Sequence, residues 1–196
     1  MQNRLSLIFG LGLLLFGCSK SELSLSSFVE WNRENPIISV VETENYVFTL
    51  TLVPNDLMCL KELKSEVNTL PKDSITQILV EYDQGSYFIL KLESKDPESS
   101  FLRSNLTSDN EYYSRIEYLS TSIPFDIKKI QNNDTSFVSN HLFERTFGIR
   151  PHENVIIYFN ESLDPSSNCS ISFDSPYDTK PLNFKFNSDD LQAIPR

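Results

Sequence analysis

The chain has 196 residues, with 17 Lys and Arg against 27 Asp and Glu, a formal net charge of −10. That balance opposes any function built on a phosphate backbone, because nucleic-acid binding exchanges protein cations for condensed counterions. It also opposes attraction of the whole domain to an anionic lipid surface.

Taken in order, the chain opens on Arg4 and a 12-residue, mostly apolar run from Leu5 to Phe16, closed by Gly17 and Cys18. A spanning helix needs about 20 apolar residues, so this run is too short to stay in a bilayer by itself. It reads as a secretory signal, with a charged start, an apolar middle and a small residue at the cut. The ending Leu15-Phe16-Gly17-Cys18 resembles the bacterial lipobox, with Phe16 bulkier than that motif's usual residue. The resemblance implies that residues 1–17 are removed and that Cys18 is acylated and becomes the N-terminus. Two or three acyl chains then hold the protein at the membrane, since each buried methylene adds about 0.8 kcal/mol. Ser19, where the family's sorting rule reads Asp as retention in the inner membrane, implies the outer membrane. Residues 18–27, rich in serine, are expected to be a flexible tether. The 179 residues from Cys18 on are one ordinary domain's worth, with folding expected from about Phe28 to Arg196.

Ile37–Val41 reads as a first strand. Tyr46–Val53 alternates with Tyr46, Phe48, Leu50 and Leu52 on one face, the period of a half-buried strand. After Pro54 the period changes. Leu57, Leu60, Leu63 and Val67 fall three or four apart and predict one amphipathic helix over Asp56–Val67. Ile75–Glu93 is expected to form a hairpin around Asp83-Gln84-Gly85, with Tyr82 opposite Ser86 and Gly85 left-handed, because that register makes one face uniformly apolar. Lys95–Asn110 is polar and reads as a long mobile connection. Tyr112–Leu119 fits a strand or a helix equally. Phe125–Ile130 and Phe137–Phe147 are weaker strand candidates around a turn at Gln131–Asp134. Val155–Phe159 reads as a central strand, and Cys169–Phe173 and Leu182–Phe186 both alternate. Strands every 10–15 residues without a βαβ rhythm predict a mainly β fold: an antiparallel β-sandwich or barrel-like domain with one amphipathic helix.

Candidate chemistry is sparse. Only Gly85 and Gly148 follow position 17, so neither a Walker A loop nor a dinucleotide fingerprint can be built, and no GxSxG, CxxC or HExxH occurs. No cofactor is called for. His141, Glu144 and His152 supply the minimum for a catalytic zinc, but i and i+3 on a strand point to opposite faces, so no metal site is expected. Glu161 with Asp164, or Asp189-Asp190, could serve a glycosidase, but with 27 acidic residues chance proximity is expected and they are read as a solvated face. Phe outnumbers Tyr and Trp and is read as core. Trp31 and Tyr112-Tyr113 alone are free to form a sugar platform. Asp73-Ser74-Ile75 resembles a short bacterial O-glycosylation acceptor. Cys59 and Cys169 could bridge, or could be two separate buried thiols.

These observations point to a lipid-anchored, non-enzymatic module of the cell envelope, facing the periplasm or the surface, that binds an envelope protein and no nucleic acid. An anchored hydrolase and a surface glycan binder are the alternatives. A cleft with converging carboxylates or histidines would favour the hydrolase, whereas an exposed apolar or edge-strand patch would favour binding.

Overall fold

The structure, a computed structural model, describes residues 25–63, 82, 84–147 and 149–194. Among the described residues nine strands form: β1 Ile37–Glu42, β2 Tyr46–Val53, β3 Ser86–Ser94, β4 Ile127–Gln131, β5 Asp134–Phe137, β6 Asn140–Glu144, β7 His152–Phe159, β8 Cys169–Phe173 and β9 Leu182–Phe186. They make a five-stranded sheet in the order β1-β2-β3-β7-β6 and a four-stranded sheet in the order β5-β4-β8-β9. Every neighbouring pair is antiparallel. The fold is the expected mainly-β, sandwich-like domain.

Alternation drives it. Phe48, Leu50, Phe88, Leu90, Val155 and Ile157 face inward from the large sheet and meet Ile127, Ile171, Phe173, Phe184 and Phe186 from the small one. Each such side chain stabilises the fold by roughly 1.5–3 kcal/mol through burial. The two sheets touch along one side, where the Lys185 backbone N–H on β9 donates to Ser39 Oγ on β1 at 2.9 Å. On the other side the chain steps from β5 to β6 through residues 138–139, and Ser139 N donates to the Tyr158 carbonyl at 2.9 Å. Between β4 and β5, Asn132 and Asn133 take φ values of 54° and 64°. Two left-handed residues in succession make the hairpin turn whose twist matches the strands, and asparagine tolerates that conformation.

Three local expectations are corrected, and one open choice is resolved. The Ile75–Glu93 hairpin does not form around β3, because both its edges are occupied: Ser86–Ser94 pairs with β2 and Ser86–Glu93 with β7. Residues 75–81 lie outside the described residues, and Tyr82 is helical. Gly85 is needed for space and not for a left-handed turn, since a Cβ there would lie 2.6 Å from the Phe159 carbonyl oxygen and inside the Tyr158 ring.

The 95–110 connection is not loose. Phe101 and Leu102 are buried in the core, and Arg115 donates through Nη1 to the carbonyls of Phe101 (2.9 Å) and Ser104 (2.8 Å). Arg115 also lies 5.5 Å over the Tyr177 ring.

Tyr112–Leu119 resolves as helix. α3, Asp109–Glu117, is N-capped by Ser108, whose Oγ accepts from Glu111 N at 3.4 Å. It runs into a π turn at Tyr118–Ser122 and a 3-10 turn at Ile123–Asp126.

α1 occupies Leu25–Glu34, so the last three residues of the tether expected over 18–27 are helical. Residues 1–24, with Cys18, lie outside the described residues. The amphipathic helix α2 spans Asn55–Leu63, and residues 64–67 of its expected length lie outside the described residues. A short α4, Ser188–Gln192, follows β9.

Candidate functional site

The register of the large sheet stacks one residue from each strand into a row on its outward face: Ile38, Thr51, Ile89, Ile156 and Leu142. Four of the five are aliphatic. Ile38 is 50% and Leu142 58% exposed, with Thr51, Ile89 and Ile156 half-buried between them. Five strands spaced about 4.8 Å apart make this row roughly 19 Å long. Val40, on the same face of β1, is also exposed. At one end of the face Val53 is buried despite its outward register, beside α2, where Met58 and Cys59 are buried outside the inter-sheet cluster. There Tyr82, Tyr87 and Tyr158 stack in series, with ring centroids 5.9 and 4.6 Å apart. The rings spend their faces on each other and so do not lie side by side as a sugar platform would.

Among the described residues the fold buries three charged side chains. Lys129, on the inward face of β4, donates to the backbone oxygen of Glu161 at 2.5 Å and to Ser86 Oγ at 3.3 Å. Its ammonium also lies 5.3 Å over the Phe159 ring. Burial pulls its pKa below the usual 10.5. Ser86 donates to the same Glu161 oxygen at 3.0 Å. A Ser–Lys pair of this kind has the elements of an acyl-transfer site. Here the hydroxyl is directed at a main-chain carbonyl, and both side chains are enclosed, so the pair serves to hold the 160–168 loop against the sheet. Gln131 completes that attachment: Nε2 donates to the Asp164 (2.8 Å) and Ser167 (3.1 Å) carbonyls, and Oε1 accepts from Asp164 N at 3.0 Å. The other two buried groups are Arg115, described above, and Glu153, whose carboxylate accepts from Thr146 N and Oγ1, both at 2.9 Å.

The carboxylates read as a glycosidase pair are occupied otherwise. Asp164 accepts from Ser166, Asn132 and Ser167, and these hydrogen bonds, that from the Ser166 side chain foremost, lower its pKa to about 2. A glycosidic general acid needs the opposite shift. Glu161 is exposed and offers its main chain to Lys129. Asp189 and Asp190 are exposed in the first turn of α4, where carboxylates complement the helix dipole.

His141 Nε2 is bonded to the Ser120 carbonyl at 3.0 Å. It pairs with Ile157 on the inward register, while Glu144 pairs with Asn154 on the outward one. His152 begins β7. Among the described residues no three His, Cys, Asp or Glu side chains gather to hold a metal ion. Cys59 and Cys169 are both buried, and no disulfide joins them. Burial pushes the Cys169 thiol up to about 11, so it stays protonated and unreactive at neutral pH.

The aromatic candidates separate. Trp31 sits on α1, which leads to the Ile37 end of the large sheet. Tyr112 and Tyr113 pack edge to face, 5.4 Å apart, near the 145–151 loop at the other end. Phe is not uniformly core: Phe125, Phe137 and Phe147 are 82%, 64% and 73% exposed. Asp73-Ser74-Ile75 lies outside the described residues.

No family model matches the chain, and no curated protein does. A crystal structure of a protein of unknown function from Burkholderia pseudomallei is similar at 13% identity, over 90% of this chain and 96% of that one, with a TM-score of 0.37.

Proposed function

We propose that the protein is a lipid-anchored component of the bacterial cell envelope, moored in the outer membrane through acylated Cys18, whose acidic β-sandwich binds an envelope protein. The binding half of this reading is carried by one observation, the aliphatic row Ile38–Ile89–Ile156–Leu142 on the outward face of the large sheet. Exposed contiguous apolar surface on a soluble domain is the usual mark of an interaction site. The row is central, flat and flanked by polar neighbours such as Lys91, Asn154 and Glu144, the layout of an interface with an apolar centre and a polar rim. The anchoring half is supported by Leu15-Phe16-Gly17-Cys18 behind a charged start and an apolar run. Non-catalytic binding fits a domain in which Ser86, Lys129 and Asp164 are committed to holding the 160–168 loop.

The two halves are tested separately. Cys18→Ser should abolish fatty-acid labelling and leave an uncleaved precursor; unchanged labelling removes the anchor. Ile89→Asp, on the half-buried centre of the row, should leave thermal unfolding of the domain cooperative while releasing the partner that wild-type protein retains from crosslinked envelopes. Retention of that partner by the variant removes the binding face.

A further inference from the structure

At the end of the large sheet away from α1, the 145–151 loop between β6 and β7 has properties that neither packing nor the outward face explains. Phe147 has φ of 54°, the left-handed region that disfavours bulky side chains, yet its ring is 73% exposed. Ile149 is 87% exposed, the highest value for a large apolar side chain among the described residues. The loop is held in place nonetheless. Thr146 is bound twice by Glu153, which has no exposed surface, Ile149 N donates to the Thr146 carbonyl at 3.0 Å, and Phe101 N donates to the Pro151 carbonyl at 3.2 Å. Backbone strain that persists under such restraint, on a largely exposed side chain, marks a functional element.

Three guanidiniums surround the tip. Arg145 lies 4.7 Å over the Phe147 ring and donates through Nη2 to Tyr112 Oη at 3.1 Å. Arg103 lies 4.9 Å over the Tyr112 ring, and Arg150 is exposed beside Ile149. Among the described residues none of these three arginines pairs with a carboxylate, in a chain with a ten-charge acidic excess. Arg145 Nε is buried with no hydrogen-bond partner. The tip is therefore locally cationic on an anionic protein. Charges farther from the tip than a Debye length of about 8 Å are largely screened from a surface it touches.

We propose that this loop docks on an anionic lipid surface, with Phe147 and Ile149 entering the boundary between headgroups and acyl chains and Arg103, Arg145 and Arg150 contacting the lipid phosphates. A projecting pair of apolar side chains needs a soft surface to enter, whereas a folded partner would need a preformed pocket. The guanidinium collar matches phosphate oxygens in geometry and sign. The docking is carried by the tip alone and does not require an acyl anchor.

The test uses the full chain with Trp31→Phe and Phe147→Trp, so that the only tryptophan reports on the tip, reconstituted in vesicles of phosphatidylcholine with phosphatidylglycerol. Ile149→Trp on the same background serves if the first reporter folds poorly. The expected result is blue-shifted emission that brominated acyl chains quench, with both effects lost in pure phosphatidylcholine. Arg103→Gln with Arg150→Gln should weaken the docking, each arginine contributing about five-fold. Unshifted, unquenched emission places the tip in water and overturns the proposal. A blue shift without quenching places it against protein and overturns it equally.

Discussion

The ammonium of Lys129, carried on β4 in the small sheet, lies 2.5 Å from the main-chain oxygen of Glu161, which follows β7 in the large sheet. A cation is thus buried between the sheets against a neutral acceptor, and its desolvation is only partly offset. Folding lowers its pKa from 10.5, so the unfolded chain binds more protons between the two values, and Lys129 makes stability rise with pH through that window. Lys129→Met keeps the aliphatic stem and removes the charge, and Ser86 still donates to Glu161. The variant should be as stable as wild type or about 1–3 kcal/mol more stable at pH 7. The difference should shrink as pH approaches 10.5. Denaturant titrations of both proteins at several pH values check this; a variant less stable at pH 7 by more than its lost hydrogen bonds would contradict it.

Arg115 is the opposite case, a buried cation whose bonds organise a loop. Arg115→Ala removes the guanidinium donor from the Ser104 carbonyl and leaves the Phe101 carbonyl only the Ser104 hydroxyl at 3.3 Å, and should cost about 3 kcal/mol. Amide exchange should rise across residues 96–105 before it rises in β2 or β3. Uniform acceleration would show that the loop is not the element Arg115 secures.

Gly85→Ala should destabilise by about 2–3 kcal/mol, because the new methyl meets the Phe159 carbonyl oxygen and the Tyr158 ring. Combining it with Tyr158→Ala tests the cause. The ring can be removed but the backbone oxygen cannot, so the double variant should recover only part of the loss. Full recovery would assign the whole effect to Tyr158.

Phe147→Gly should raise stability by up to about 1 kcal/mol, since glycine adopts φ of 54° without a Cβ penalty. The same change removes the ring that enters the lipid, so stability and vesicle docking should move in opposite directions. A glycine variant that docks as well as wild type would separate the strain from the function.

Where local alternation was strong, the sequence was legible. Tyr46–Val53, Cys169–Phe173 and Leu182–Phe186 carry inward apolar side chains at every second position and form strands with those bounds. The β3 hairpin failed for a physical reason: an apolar face accepts any apolar partner in register. Phe88 and Leu90 pair with Leu52 and Leu50 on one side and Ile157 and Val155 on the other, partners tens of residues away that no local rule ranks. The 95–110 connection read as mobile because the residue that fixes it, Arg115, lies beyond it in sequence. Lys129 had a signal, since it shares the parity of Ile127 on β4. Phe147 had none, as its strain comes from a loop closed by Glu153.

The outward row of the large sheet is the feature on which the functional account rests, and a photo-crosslinking amino acid placed there tests it most directly. With the probe at Leu142 in living cells, one discrete protein adduct should form, and Ile89→Asp in the same chain should remove it. The probe at Asn183, on the outward face of the small sheet, should give no such adduct. The same adduct from both faces, none from Leu142, or one that survives Ile89→Asp would contradict the account.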